Sequence, residues 1–169
     1  MSESIIIIDF GSQVTKLIAR RIREFGVFSQ IVPFNKVTKK LLGNNSVKGI
    51  IFSGGPKSVH EKNSPKIDDY IYELEIPILG ICYGLQLIAK QFGGKITPSK
   101  DREFGKTQIK LNKKSPLLEN AIFPNKPVQV WMSHSDKISI IPDSFEKIAS
   151  SDNCEFAVIQ NQKKKTYGV

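Results

Sequence analysis

One segment sets the architecture around which the rest of the chain is arranged: Pro77-Ile78-Leu79-Gly80-Ile81-Cys82-Tyr83-Gly84-Leu85-Gln86-Leu87-Ile88-Ala89. Its apolar first half predicts a buried strand and its second half a helix, with Cys82 at the junction. A reactive side chain on such a sharp turn has strained backbone geometry, and the turn closes only if the residues two positions away lack a Cβ. Gly80 and Gly84 occupy these positions. The pattern predicts a nucleophilic cysteine, and a buried structural cysteine beside packing glycines is the alternative.

The surroundings of Cys82 predict how such a nucleophile would work. The helix that follows points unpaired N–H groups and its positive dipole end at the sulfur, so we expect the thiolate to be favoured. Attack on a carbonyl-type carbon creates an oxyanion that needs preset N–H donors. The expected donors are the backbone N–H groups of Tyr83 and of Gly55, in the loop Ser53-Gly54-Gly55-Pro56. For this loop an ordinary turn is the alternative, and a phosphate-binding loop is disfavoured because its Lys-Ser/Thr ending is absent.

The rest of the chain alternates apolar strands with helical periodicity. Strands are predicted over 5–8, 27–32 and 47–52, and helices from two sets of apolar residues: Val14, Leu17, Ile18, Ile22 and Phe25 with Gly26 as the C-cap, and Ile67, Tyr70, Ile71 and Leu74. This order predicts an α/β fold with a doubly wound, mostly parallel sheet and a site at the carboxyl ends of its strands. The C-terminal third predicts extra, antiparallel strands over 104–111, 127–132, 137–140, 146–149 and 156–160.

Composition narrows the class of protein. The 169 residues predict one domain, and 25 Lys and Arg against 16 Asp and Glu give a net charge of +9. The positive charge is scattered without a recognition motif, which favours a solvated surface or a face for an acidic partner domain over nucleic-acid binding. The two cysteines predict a reducing, cytoplasmic setting. The start Met1-Ser2-Glu3-Ser4 and the short apolar run after it predict neither a signal peptide nor a membrane span.

Four stretches resemble one family, the class I, triad-type glutamine amidotransferases, and within it the amidotransferase part of GMP synthetases. In chain order they are Asp9-Phe10-Gly11-Ser12-Gln13 with Leu17 to Glu24, Ser53-Gly54-Gly55-Pro56, Gly80-Ile81-Cys82-Tyr83-Gly84-Leu85-Gln86, and Val130-Trp131-Met132-Ser133-His134-Ser135-Asp136-Lys137. The second and third of these stretches mark the superfamily, and the first and fourth are specific to GMP synthetases.

The resemblance implies a catalytic mechanism and partners. Cys82 would form a γ-glutamyl thioester from L-glutamine, with Gly55 and Tyr83 lining the oxyanion hole. Gln86 and the segment Ser133, His134, Ser135 and Asp136 would bind the substrate. The ammonia would pass to an ATP-pyrophosphatase domain or subunit that aminates xanthosine monophosphate to GMP. ATP and magnesium would belong to that synthetase unit, so no cofactor is expected in this chain.

The sequence departs from the family's pattern at the catalytic base. In the family the catalytic histidine and glutamate follow a Tyr-Gly-Val sequence, and this sequence ends at Tyr167-Gly168-Val169. We therefore expect residues 1–169 to be an amidotransferase domain truncated at its C-terminal end. The two histidines, His60 and His134, do not match the triad base, and no paired spacing predicts a metal site. A catalytically silent binding or regulatory module, or another elbow-cysteine hydrolase of γ-glutamyl compounds, remains open as an alternative.

Overall fold

The computed structural model describes residues 3–119 and 127–169, with the backbone alone at 99–104 and 133–135. The helices are α1 (Thr15–Glu24), α2 (Lys39–Leu42) and α3 (Tyr83–Gln91). The strands are β1 (Ser4–Asp9), β2 (Phe28–Pro33), β3 (Val47–Phe52), β4 (Ile78–Gly80), β5 (Lys95–Leu111), β6 (Val128–Ile140), β7 (Glu146–Ser150), β8 (Val158–Asn161) and β9 (Thr166–Gly168). Within the described residues they form one sheet in the order β2-β1-β3-β4-β9-β8-β7-β5-β6.

The half of the sheet from β2 to β9 is parallel, as predicted. Adjacent strands are in register through Ile7, Ile51, Leu79 and Tyr167, which pair in that order across β1, β3, β4 and β9. Strand β9 was not predicted, because three residues after a lysine run carry too little pattern to be recognised. It nevertheless lies in the middle of the sheet, between β4 and β8. The predicted α/β fold class is confirmed.

Helix α1 exists as predicted, but its buried face agrees only in part with the predicted one. Thr15 and Ala19 are buried and Ile18 and Ile22 are half-buried, whereas Leu17, Val14 and Phe25 are 49%, 49% and 86% exposed. The prediction was right for the two isoleucines and wrong for the other three residues, because the helix turns the face with the small residues Thr15 and Ala19 toward the sheet. The hydroxyl of Ser29 on β2 donates to the carbonyl oxygen of Ala19 over 3.0 Å, which shows how near the two elements lie.

The C-cap of α1 is as predicted, and the helix predicted near residue 70 is shorter than expected. Gly26 has a φ of +76°, and its N–H donates to the carbonyl of Arg23 over 2.9 Å, so a glycine suits this position. The second segment is only a 3₁₀ turn over Asp69–Glu73.

The C-terminal third is antiparallel, as predicted, but β5 and β6 are longer than predicted and β8, predicted over 156–160, is Val158–Asn161. Strand β5 begins at Lys95 rather than residue 104, and the two strands predicted over 127–132 and 137–140 are one continuous strand, β6. Strands β5 and β6 pair with each other, and β5 also pairs with β7 through Lys110 and Leu111. Among the described residues, none of the helices is long and apolar enough to cross a membrane.

The main apolar core lies between the parallel strands and helix α3. It contains Ile6, Ile8, Phe52 and Ile88, each at most 2% exposed. A second cluster, which includes Ile148, Cys154 and Val158, fills the antiparallel half, and Val169 packs against it. The end of β9 therefore lies where the parallel and antiparallel halves meet, next to the elbow that carries Cys82.

Candidate active site

The structure places Cys82 at a sharp turn between β4 and α3. Its φ and ψ are +49° and −105°, a conformation that L-residues rarely adopt and that costs of order 1–3 kcal/mol. The turn is closed by a hydrogen bond of 2.9 Å from the N–H of Gly84 to the carbonyl of Ile81. The N–H of Cys82 itself donates to the carbonyl of Val169 over 2.8 Å. The predicted strained elbow is therefore present, tied to the end of β9.

The two glycines of the elbow are required by close packing of α3 on the sheet. A Cβ at Gly84 would lie 2.5 Å from the carbonyl oxygen of Phe52, and one at Gly80 would lie 2.6 Å from Ile88 Cδ1 and from the carbonyl carbon of Gly84. Neither glycine has a positive φ. The reason for glycine is therefore contact between backbones rather than conformational freedom.

The Gly54-Gly55 loop lies directly beside the elbow. A Cβ at Gly54 would lie 3.8 Å from Cys82 Cβ, and one at Gly55 would lie 3.4 Å from Tyr83 Cγ and 2.8 Å from the carbonyl oxygen of Phe10. Because a Cβ would lie so close to the carbonyl oxygen of Phe10, a side chain at Gly55 would require Phe10, the residue after β1, to move. Tyr83 is the first residue of α3, so its N–H has no carbonyl partner within the helix. The fold thus brings the two predicted oxyanion donors to the same place as Cys82.

A small cavity with a volume of about 40 Å³ lies next to Cys82 and is open on one side. Its lining joins α3, β6, the end of β9 and the connection between β7 and β8: Cys82, Leu85, Gln86, Met132, Asp136, Lys137, Ile138, Cys154, Phe156, Ala157 and Val169. Met132, Cys154, Phe156 and Val169 were not predicted as site residues, because only the tertiary structure brings their segments to the elbow.

The electrostatics at Cys82 differ from the prediction. Burial raises the pKa of the Cys82 thiol above its ordinary value, because desolvation disfavours the thiolate. The expectation that the start of α3 favours the thiolate is therefore wrong for this structure, in which burial dominates. Conversion of the thiol to the thiolate therefore requires a base or a bound substrate in addition to the contacts described above.

The side chain of Tyr83 holds the neighbouring loop. Burial raises the pKa of Tyr83, and its hydroxyl donates to the carbonyl oxygen of Pro65. Lys90, further along α3, donates to the carbonyl of Val59 in the same loop over 2.5 Å. These contacts fix the loop that follows Gly55 against the nucleophile helix.

The predicted substrate-binding residues come from α3 and β6. Gln86 is buried, and its Nε2 donates to the backbone oxygen of Asp136 over 3.0 Å. Asp136 is also buried and lines the cavity. The side chains of Ser133, His134 and Ser135 lie outside the described residues; their backbone belongs to β6. The structure therefore brings Gln86 and Asp136 together beside Cys82.

The other polar residues singled out in the sequence lie elsewhere. Asp9 accepts hydrogen bonds of 2.9 Å from the N–H of Gly11 and from Thr15 Oγ1, so it anchors the turn into α1. His60 is exposed in the loop after Gly55. In the part of the chain that the structure describes, no group of three or more His, Cys, Asp or Glu side chains could hold a metal ion.

Comparison with known proteins identifies the family. The model of the family described as glutamine amidotransferase class-I matches residues 6–169. This chain belongs to the class-I glutamine amidotransferases. The amidotransferase chain is 47% identical over 167 residues to a GMP synthase (glutamine-hydrolyzing) of Caldanaerobacter subterraneus subsp. tengcongensis, covering 99% of this chain and 32% of that protein. A Zymomonas mobilis protein of the same name is 48% identical, with 100% of this chain and 32% of that protein covered.

Solved structures agree with this fold. A protein from Thermoplasma acidophilum, described as a putative GMP synthase subunit, has a TM-score of 0.80 and 29% identity, covering 100% of this chain and 83% of that one. A glutamine amidotransferase from Thermotoga maritima has the same TM-score at 18% identity, with 100% and 75% covered, and it supports the fold alone. The amidotransferase chain spans about a third of the length of the curated relatives that it matches.

Proposed function

We propose that this amidotransferase chain hydrolyses L-glutamine to glutamate and ammonia and is the ammonia-producing part of a GMP synthase. The observation that carries the proposal is the position of Cys82, on a strained elbow that faces a cavity and lies against the Gly54-Gly55 loop. The similarity to GMP synthases along nearly the whole chain supports the same function.

The proposed chemistry has two stages. In the first, the Cys82 thiolate attacks the γ-carboxamide carbon, and the resulting oxyanion accepts hydrogen bonds from the N–H groups of Gly55 and Tyr83. The C–N bond breaks as the amide nitrogen takes up a proton and leaves as ammonia, and a γ-glutamyl thioester remains. In the second, water adds to the thioester, glutamate departs and the thiol is regenerated. The sum is glutamine and water giving glutamate and ammonia.

Both stages need a group that accepts and returns a proton, because the thiol and then the attacking water lose one, while the leaving nitrogen and then the leaving sulfur gain one. Burial, which raises the pKa of Cys82, adds to the need for a base in the first stage. The family resemblance assigns this role to a histidine and a glutamate that follow Tyr167-Gly168-Val169. In the structure Val169 lines the cavity, and its carbonyl accepts the N–H of Cys82 over 2.8 Å. Residues that follow Val169 in a longer protein would therefore start beside the sulfur, where a base is needed.

The proposal assigns the cavity to the substrate. Gln86 and Asp136, with Ser133 to Ser135, would hold the amino-acid end of glutamine while its side chain reaches Cys82. The partner would be an ATP-pyrophosphatase domain or subunit, since the curated relatives are about three times longer than the region they share with this chain. That partner would use the ammonia to convert xanthosine monophosphate to GMP. Cys82 must remain a thiol, so the proposal includes the reducing setting of the cytoplasm.

Labelling tests the function. A diazoketone analogue of glutamine should add one adduct to Cys82 of the full-length protein, detected by mass spectrometry of the peptide, and excess glutamine should protect against it. Cys82→Ser should take up no label and release no ammonia from glutamine. Ser29→Ala, a substitution of a buried residue on β2 outside the cavity lining, is the control and should retain both.

A catalytically silent module is the second candidate, and the raised pKa of Cys82 favours it. If the full-length protein binds glutamine but neither labels at Cys82 nor releases ammonia, this candidate replaces the enzyme. Comparing glutamine with other γ-glutamyl compounds as substrates separates the amidotransferase from a related hydrolase.

A further inference from the structure

We infer that Ser53 is a positioning residue that directs the N–H of Gly55 toward the position of the oxyanion, and this inference rests on the function proposed above. Ser53 follows β3 directly and is fully buried, at 0% exposure. Its own N–H donates to the carbonyl of Ile8 over 3.0 Å, so the residue is fixed to β1 as an extension of the sheet.

The hydroxyl of Ser53 joins β1 to the loop that carries the oxyanion donor. Its oxygen accepts the N–H of Phe10 over 3.0 Å, and its proton is donated to the carbonyl oxygen of Gly54 over 2.8 Å. Phe10 in turn limits the space at Gly55, since its carbonyl oxygen would lie 2.8 Å from a Cβ there. Phe10, the residue that follows β1, therefore lies against the loop through both its N–H and its carbonyl oxygen.

The bond to Gly54 matters because of peptide geometry. The carbonyl of Gly54 and the N–H of Gly55 belong to one planar peptide unit, which is trans, as are the peptide bonds throughout the described residues. In a trans unit these two groups point in opposite directions, so a hydrogen bond that fixes the carbonyl also fixes the N–H. Two adjacent glycines place little restriction of their own on the rotation of this unit. The Ser53 hydroxyl supplies the restriction that the glycines lack.

Orientation of this N–H has a consequence for rate. An oxyanion donor contributes fully only if it is preset before the oxyanion forms, and outright loss of one donor costs about 100- to 1,000-fold in kcat. Loss of the Ser53 hydroxyl leaves the donor present but free to rotate. We therefore expect a reduction of kcat of about 10- to 100-fold, with little change in KM.

The test separates this role from that of an ordinary buried serine. The variant is Ser53→Ala in the full-length protein, assayed for glutamate release from glutamine. The matched control is Ser29→Ala, since Ser29 is also 0% exposed and donates its hydroxyl to a backbone carbonyl over 3.0 Å, but lies on β2. Alkylation of Cys82 by iodoacetamide is measured in parallel, because this displacement forms no oxyanion and reports only the state of the thiol.

The expected result for Ser53→Ala is a kcat reduced by at least about tenfold relative to Ser29→Ala, with KM and the alkylation rate within about twofold. Ser53→Cys keeps the connectivity of the side chain but carries a larger atom and a weaker donor, so its kcat should lie between the parent and Ser53→Ala. If Ser53→Ala does not fold, the kcat of Ser53→Cys tests the role of the hydroxyl instead. Equal kcat values for the Ser53 and Ser29 variants, or equal losses in hydrolysis and alkylation, would overturn the role of Ser53 alone. A parent protein without glutaminase activity would overturn the proposed function and this inference with it.

Discussion

Gly84→Ala tests whether close packing of α3 on the sheet holds the elbow in place. The new Cβ would lie 2.5 Å from the carbonyl oxygen of Phe52 and 2.6 Å from its Cβ, and α3 would have to move by at least about 0.5 Å to reach the 3.0 Å below which such contacts essentially never occur. Overpacking of this kind costs about 1–3 kcal/mol, and the upper end applies because one obstacle is backbone in a central strand.

The expected change in the free energy of unfolding is the cost of overpacking minus the gain in helix propensity. Replacing glycine by alanine within a helix returns up to about 1 kcal/mol, so we expect a loss of about 2 kcal/mol in the free energy of unfolding. With a urea m-value of about 2 kcal/mol/M, the unfolding midpoint should fall by about 1 M. Circular dichroism at increasing urea concentrations measures it.

The control for this prediction is Gly49→Ala. Gly49 lies on β3, the strand that also carries Phe52, but a Cβ there would meet Ile5 Cγ1 at 3.6 Å, an ordinary van der Waals contact. Its midpoint should stay within about 0.3 M of the parent, or rise slightly as the unfolded chain loses freedom. Equal midpoints for the Gly84 and Gly49 variants would refute the packing argument, because propensity alone treats them alike.

Two further predictions concern Cys82 and one concerns Gln86. Because burial raises the pKa of Cys82, the rate of its alkylation by iodoacetamide should increase with pH, and the inflection should lie at a higher pH than for a cysteine in a short peptide. An inflection at the same or a lower pH would contradict this. Because the φ of Cys82 is +49°, Cys82→Gly should be more stable than Cys82→Ala by about 1 kcal/mol in urea unfolding, while both are inactive; equal stability would show that the elbow is unstrained. Gln86→Leu removes the donor to the Asp136 carbonyl and should lower the free energy of unfolding by about 1–2 kcal/mol, measured by thermal denaturation, and no loss would mean that the carbonyl finds another donor.

Much of the parallel half could be predicted because each of its features is local. Four consecutive isoleucines indicate a strand buried on both faces, and β1 is found at Ser4–Asp9. Two glycines around Cys82 indicate an elbow, and the chain turns there. In both cases neighbouring residues carry the whole signal, so no knowledge of distant contacts is needed.

The errors arose where distant segments decide the outcome. The apolar residues of α1 indicated a face through Leu17, but contact with Ser29 on β2 selects the face of Ala19 instead. The thiolate expected from the start of α3 is disfavoured by burial, which depends on segments far along the chain. Strand β9 is too short to be recognised alone and exists because β4 and β8 pair with it on both sides.

The amino-acid sequence by itself determined the fold class, the family resemblance and the identity of the candidate nucleophile, since these depend on short-range periodicity and on a glycine-cysteine-glycine spacing. Only the tertiary structure decided what surrounds the sulfur. Val169 and Asp136 reach Cys82 through strands from the C-terminal third, and the Phe10 N–H reaches the Ser53 hydroxyl because β1 and β3 are adjacent. Contacts of this kind depend on which strands lie side by side, and strand order follows from the burial of the whole chain rather than from any single segment.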